Sequence, residues 1–591
     1  MSKRCRGVLG IGLIISILVS SVFGVNGLLY DYSYSSECLA TPLKPQYGGG
    51  MVVNPELNEE GLKGWSTFGE AKLAKRVDSE DGNNYLVAYD RKGSNDSLKQ
   101  AFALEKGKLY VISAWLQVSH GVSPITAAFK TSTGNITLAG TVITRSGCWS
   151  MLKGGITPNA STSGVAELYF LSEDATVDIW ADSISLQPFT QAEWESHQIQ
   201  SAEKIRKSRV RFQAVDPHGQ PLANTNISIT QTNAAFPVGS AINANIRNNQ
   251  AYQSWFTSRF KYTVFENEMK WNYNEKIQGQ EDYSDPDAMM QFAKSNGVSV
   301  RGHNIFWDDS TYNPTWVTTL SPADLKKAAD KRINSIVKRY KGQVIHWDVV
   351  NENLNHDFME GKLGPKVTDA YYQTARAYDP DATPFLNDFS TIENNQKDQK
   401  ASPANYKKKI MEIRQDGNYK GPLGIGLQGH FGIPDVAYIR ASLDMLATEK
   451  LPIWITELDI SKSQNQARYL NQTMKELHSH PAVNAIVLWT AWSPSGCYEM
   501  CLTDNTFKNL PAGDVVDKIL GEWKMLDGLT GTTDANGYFE TSLHHGDYQV
   551  QINHPEEDQL MSSFSSPSIN FKVAPTTNHE MLNVKLPTLS T

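Results

Sequence analysis

The pattern of apolar and polar positions divides the chain into stretches of different period. Between about residues 48 and 190, runs such as Tyr85-Leu86-Val87-Ala88-Tyr89, 109–115 and 177–182 alternate or stay apolar, with Gly-, Asn- and Ser-rich turns between them. That pattern predicts strands, and a series of them predicts an all-β sandwich over 48–190. Residues 191–209 are polar and charged with helical character, as in Ala192-Glu193-Trp194-Glu195, and read as a linker. Residues 210–222 and 226–230 then alternate around Pro217-His218-Gly219, the signal of a β-hairpin. One hairpin is not stable alone. Its expected partners lie at 532–539 and 545–552, so one small discontinuous β-domain is predicted, split into 210–232 and 526–591.

Between those halves, over 233–525, the period alternates between strand and helix. Strands are predicted at 236–242, 262–268, 298–307, 344–352, 383–389, 424–430, 452–459 and 485–492. Helices fit between and after them, at 250–260, 286–296, 322–341, 368–378, 403–416, 435–448, 464–480 and 512–524. Ser321-Pro322 and Ser402-Pro403 are helix-start signals. Eight such units predict a (β/α)8 TIM barrel, the catalytic part of a multidomain chain.

The fourth and seventh of these strands carry the candidate chemistry. One ends in Asn351-Glu352, the other in Glu457-Leu458-Asp459. An ionised carboxylate is costly to desolvate, so buried strands seldom end in one. Two readings stand level on these segments alone: a buried structural ion pair, or paired carboxylates in one cleft. The other strand ends decide between them. They offer Glu266-Asn267-Glu268-Met269-Lys270-Trp271, Arg301-Gly302-His303, Trp307, Asn387-Asp388, Gln428-Gly429-His430 and Trp489. In a barrel these converge on one face. Two carboxylates across a sugar ring, amides and imidazoles for its hydroxyls and aromatic rings for its faces make a carbohydrate-cleaving site.

Composition narrows the setting. The net charge is −8 with no basic block, which speaks against nucleic acid as a partner. Lys3, Arg4 and Arg6 precede an apolar run over 8–23 and small residues near 24–27, the pattern of a secretory signal peptide over 1–27. No later stretch is long and apolar enough for a membrane span, so a secreted, extracellular chain is expected. Sequons at Asn95, Asn135, Asn159, Asn226 and Asn471 agree with that compartment. Removing Cys5 with the leader leaves Cys38, Cys148, Cys497 and Cys501. Two disulfides are expected, Cys497–Cys501 closing a tight loop and Cys38–Cys148 by elimination; metal binding is the alternative their wide spacing disfavours.

The barrel resembles glycoside hydrolase family 10, the retaining endo-β-1,4-xylanases, and within it the plant branch. The matching stretches are 266–271, Arg301-Gly302-His303-Asn304-Ile305-Phe306-Trp307, Trp347-Asp348-Val349-Val350-Asn351-Glu352, 424–431 and 454–460, in order over the whole barrel. The upstream sandwich resembles a family 22 carbohydrate-binding module at Gly49-Gly50, Asn54-Pro55 and Trp149 to Gly155. The resemblance implies Glu352 as acid/base and Glu457 as nucleophile, roughly 5–5.5 Å apart. It implies that Asn351 binds the hydroxyl next to the anomeric carbon, and that His430, backed by Asp459, tunes Glu457. Glu266, Asn267, Lys270, His303 and Gln428 would bind glycone sugars, and Trp307 and Trp489 would form the platform at the cleavage subsite. It implies no metal or organic cofactor and xylan as the polysaccharide partner; no membrane in the mature form, from the lack of a later apolar span, and a monomer are expected with it. Transfer of the xylosyl chain to another sugar, or a non-catalytic wall-binding role, are the competing readings. Two departures from the family pattern stand out. Asp308-Asp309 follow Trp307 where many members have His, and a Cys497–Cys501 loop is expected where a second lid Trp would stand.

Overall fold

The structure is a computed structural model that describes residues 28–586 apart from 217, 395, 397, 525–527, 554–567 and 576–580. The expected leader at 1–27 lies outside the described residues.

Eight parallel strands close a barrel: β1 (Val238–Ser240), β2 (Tyr262–Val264), β3 (Ser299–Gly302), β4 (His346–Asp348), β5 (Thr383–Asp388), β6 (Gly424–Leu427), β7 (Ile453–Ile460) and β8 (Val483–Leu488). Neighbours in sequence are neighbours in the sheet, and β1 pairs with β8 to close it. The strands are near-continuous apolar runs because barrel strands are covered on both faces. All eight residues of β7 are buried. Outside them, helix Pro322–Arg339 shows how the ring is built. Ser321 accepts the amide of Asp324, Pro322 opens the first turn, and Leu325, Ala329, Ile333 and Ile336 form the buried stripe.

Several predicted strands are longer than the barrel strands they contain. The prediction at 298–307 spans β3 and a separate two-residue strand, Phe306–Trp307, which pairs with Val350–Asn351 beyond β4. His430–Phe431 likewise pairs with the far end of β7. These short rim pairs continue the extended pattern past the barrel wall and fix the residues that carry the chemistry.

Two five-stranded sheets form the N-terminal sandwich. One runs Ser66–Phe68, Ser97–Leu104, Gly164–Leu171, Val122–Thr131, Ile136–Arg145; the other Lys72–Val77, Asn84–Tyr89, Ile179–Phe189, Leu109–Val118, Ser150–Ile156. A segment ahead of the predicted sandwich boundary is tied to it: Leu39 bridges Trp149, and Cys38 is bonded to Cys148. The sandwich meets the barrel at helix Val436–Ala447. Gly155 lies so close to Ala437 that a Cβ there would sit 2.4 Å from its backbone, and Lys153 and Asp444 form a fully buried ion pair at 2.6 Å.

Two expectations need correction. Residues 191–209 are not a bare linker. Helix Gln191–Arg206, opened by a Thr190/Glu193 capping box, packs on the barrel. Trp194 donates to Glu476, and Arg206 donates to the carbonyls of His478, His480 and Val483. The predicted turn closes, with Val215 bridging Pro221 and the Leu222 amide donating to Ala214 O at 2.9 Å, but the two strands beside it do not pair with each other. Lys207–Ala214 pairs with Tyr538–His544 and Leu582–Leu586, while Asn226–Ala234 belongs to a second sheet with Leu529–Thr532, Gly546–Asn553 and Ser568–Val573. Val210 and Phe212 on one strand and Ile227 and Ile229 on the other must face each other across a core, which places them in opposing sheets.

Candidate active site

Glu457 and Asp459, two residues apart on β7, leave the strand on the same side. Glu457 Oε1 accepts from Asn387 Nδ2 at 2.8 Å and lies 3.9 Å from His303 Nδ1; Oε2 lies 3.6 Å from His430 Nε2. His430 Nδ1 is 2.9 Å from Asp459 Oδ1, so the imidazole sits between two carboxylates. Burial opposes a charged imidazole, but those carboxylates outweigh it and hold the pKa of His430 well above the ordinary histidine value. Glu457 feels the converse. Burial pushes it up, yet attraction from His303 and His430 and the Asn387 bond bring it down to about 2.

Glu352 takes a different environment from the end of the rim strand. Its φ of 62° lies in the left-handed region, a strained conformation for a side chain of this kind. Its amide donates to Asn387 O at 2.9 Å, and its carbonyl accepts the amide of His356 at 3.0 Å. The carboxyl accepts from Trp307 Nε1 at 2.7 Å and from Gln428 Nε2 at 3.1 Å, with His356 Nε2 at 3.7 Å. Burial, helped by the charge of Glu457, raises its pKa against those bonds. Two neighbouring carboxyls pushed apart in this way are suited to a division between a proton donor and an anion.

Asn387 joins the two. Its Nδ2 donates both to Glu457 and, at 2.9 Å, to Asn351 Oδ1, and its Oδ1 accepts from Thr456 at 2.5 Å. Room for this amide comes from Gly426 on β6, where a Cβ would stand 2.6 Å from Asn387 Oδ1. With Oδ1 held, Asn351 Nδ2 is left buried without a hydrogen-bond partner among the described residues. A buried donor in that state favours a ligand that can accept from it.

The chain is similar along most of its length to known proteins. The family model for glycosyl hydrolase family 10 matches residues 228–516, and a carbohydrate binding domain model matches 49–176. Endo-1,4-beta-xylanase 5 of Arabidopsis thaliana is 39% identical over 507 residues, covering 84% of this chain and 88% of that one. The chain belongs to glycosyl hydrolase family 10. A second Arabidopsis thaliana relative, endo-1,4-beta-xylanase 5-like, is 37% identical over 558 residues, with 93% of each chain covered. Among solved structures, xylanase 10B from Thermotoga petrophila in complex with xylobiose aligns at 25% identity and a TM-score of 0.43, covering 49% of this chain and 94% of that one.

In this family 10 barrel the remaining candidates fall around the same opening. Lys270 is buried with Nζ 4.5 Å from the Trp307 ring centre and 5.5 Å from that of Trp489, and donates to Asn267 Oδ1 at 3.1 Å. Burial lowers the pKa of Lys270 and pushes that of Glu266 up to about 7. Trp489 meets the rings of His303 and His430 edge-on. Trp307 departs from an open sugar platform. Tyr312 stacks on it at 4.1 Å and Lys270 lies over its ring, so what it offers the site is its N–H edge, given to Glu352. Gln428 likewise spends its amide on Glu352. His303 is fixed by Asp348, itself held by the fully buried Arg301 at 2.6 Å.

Sequence reasoning missed Asn387 and Arg301 as parts of the site, although both stand in the strand-end stretches it singled out. The signal was a polar side chain where the strand is otherwise apolar. Both disulfides are present, Cys38–Cys148 and Cys497–Cys501. The small loop presents Tyr498, exposed and edge-on to His430 at 6.3 Å. Asn95, Asn135, Asn159 and Asn226 are exposed and Asn471 is half-buried. Among the described residues no helix is long and apolar enough to cross a membrane.

Proposed function

We propose that this chain is a secreted endo-1,4-β-xylanase that cleaves cell-wall xylan with retention of configuration, with Glu352 as acid/base and Glu457 as nucleophile. The observation that carries the reading is a pair of buried carboxyls joined through Asn387, which donates to Glu457 and accepts the Glu352 amide, with Glu352 displaced upward and Glu457 down to about 2. In the first step a Glu457 oxygen attacks the anomeric carbon as the glycosidic C–O bond breaks, and Glu352 gives its proton to the departing oxygen. Bonding to the sugar removes the negative charge of Glu457. Glu352 then loses the neighbour that helped keep it protonated and can accept a proton from water, whose oxygen displaces Glu457. Asn351 Nδ2 supplies the donor for the hydroxyl beside the anomeric carbon, and Lys270, Glu266, Asn267, His303 and Trp489 bind the glycone sugars.

The relatives' names support xylan as the polysaccharide, and the matched carbohydrate binding domain supports a polymeric one. Two disulfides fit an oxidising, extracellular compartment. Azide rescue tests the roles with an aryl β-xylobioside. Glu457→Gly is expected to yield the α-glycosyl azide and Glu352→Ala the β-glycosyl azide. Reducing-sugar release from xylan that persists in Glu457→Gln would refute the nucleophile assignment.

A further inference from the structure

His430 reaches both carboxylates only while its backbone is held in place. Its amide and that of Gly429 donate to the same oxygen, Glu393 Oε1, at 3.2 and 2.9 Å. Gly429 has φ 85°, a turn that glycine takes without strain, and two successive amides thereby meet one acceptor. Glu393 stands on the loop after β5, and its Oε2 accepts the amide of Ile392 at 2.9 Å. The same loop grips the N-terminal sandwich. Asn394 Nδ2 donates to Leu138 O at 3.1 Å; Gln396 Oε1 accepts the Leu138 amide at 2.5 Å, and its Nε2 donates to the Leu138 carbonyl at 3.3 Å. Leu138 lies on the sandwich strand Ile136–Arg145.

We propose that Glu393 is a positioning residue for His430, and that the carbohydrate-binding sandwich braces it through the backbone of Leu138. The sandwich then belongs to the support of the nucleophile in addition to any grip it has on polymer. The inference rests on Glu457 being that nucleophile. Three carboxylates bear on the imidazole, Glu457 and Asp459 from β7 and Glu393 from the loop after β5; Glu499, from the Cys497–Cys501 loop, acts on Asp459, and Lys270, from the end of β2, acts on Glu457. Losing the Glu393 acceptor frees the His430 backbone, weakens the imidazole's hold on Glu457, and lets Glu457 protonate at higher pH.

The test is the pH profile of kcat/KM with an aryl β-xylobioside, a substrate too short to need a separate polymer-binding face. Glu393→Ala is expected to lower kcat about 10²-fold, the scale of a misplacement of about 1 Å, and to move the acid limb to higher pH. Glu393→Gln keeps the accepting oxygen and is expected to retain most activity and the wild-type limb. Asn394→Ala/Gln396→Ala is expected to shift the limb in the same direction by less. Even loss at every pH in Glu393→Ala, or equal damage in Glu393→Gln, overturns the positioning role. A double variant with the wild-type profile overturns the brace. Thermal melts of each variant separate these outcomes from failure to fold. A wild type inactive on both xylan and the xylobioside refutes the proposed function itself, whereas an active wild type matched by Glu393→Ala refutes only this inference.

Discussion

Asn387→Ala tests the proposed linkage between Glu457 as nucleophile and Asn351 as the contact beside the anomeric carbon. It removes the Nδ2 that Glu457 and Asn351 share, and the Oδ1 that accepts from Thr456. A hydrogen bond to a charged group contributes about 1.5–3 kcal/mol. At 1.36 kcal/mol per pK unit that is about 1–2 units. Glu457, now held at about 2 with Asn387 among the causes, is then expected to titrate near 3 to 4. The sign follows from the protonation state required. In the proposed roles Glu457 must be ionised to attack, so raising its pKa moves the acid limb of kcat/KM upward, while the alkaline limb, assigned to protonated Glu352, stays. Asn351 also loses its anchor, and kcat is expected to fall about 10²-fold. The assay is a kcat/KM profile from pH 2.5 to 9 with an aryl β-xylobioside, run beside a urea melt. An acid limb that does not move, with activity lost evenly across the range, would mean that Asn387 serves the fold and not the charge.

Four further outcomes are expected. Arg301→Ala leaves Asp348 fully buried and beside His303 only, and should destabilise the barrel by about 3–5 kcal/mol in urea denaturation. Lys153→Met leaves Asp444 buried beside His480 without the Lys153 charge; calorimetry should show the sandwich unfolding ahead of the barrel, where the wild type shows them closer together. Removing Cys38–Cys148, which spans 110 residues, should cost about 5 kcal/mol, against about 2 kcal/mol for Cys497–Cys501, which spans 4, so paired Ser variants should differ visibly in Tm. Burial pushes Asp308 up to about 6, so its folded-state stabilisation is present below the unfolded carboxyl pKa and is lost as pH rises through 6; Asp308→Asn should flatten stability across pH 4–7.

Periodicity located the barrel well because its strands are apolar on both faces and its helices carry one buried stripe. The helix at 322–341 and the strand at 452–459 lie within two residues of Pro322–Arg339 and Ile453–Ile460. It failed where local alternation leaves pairing open. Residues 210–230 contain two good strands and a good turn, but only the distant partners show that the strands enter different sheets. Helix Gln191–Arg206 read as a linker because its surface is mostly polar and its docking depends on Trp194, His197 and a row of barrel carbonyls. At the site, residue types at strand ends were legible. What each holds was not: Gln428 and Trp307 point their donors at Glu352, and Asn387 bridges two residues on different strands. Those are facts of side-chain direction, which sequence spacing does not carry.

The β-domain that brackets the barrel bears on how the chain is made. Arg211, on the first bracketing strand, is 329 residues from its partner Glu540. At a synthesis rate of about 5–20 residues per second, roughly 15–65 s separate their emergence. Throughout that interval Phe212 and Ile229, both fully buried in the finished protein, have no sheet to enter. The sandwich strands, by contrast, find all their strand partners within residues 66–189. Distant pairing is slow, and open apolar strand edges recruit other chains. The nascent protein therefore carries a sticky seam in its middle until its own last strands arrive, and a chain that stops short of Leu529 keeps that seam for good.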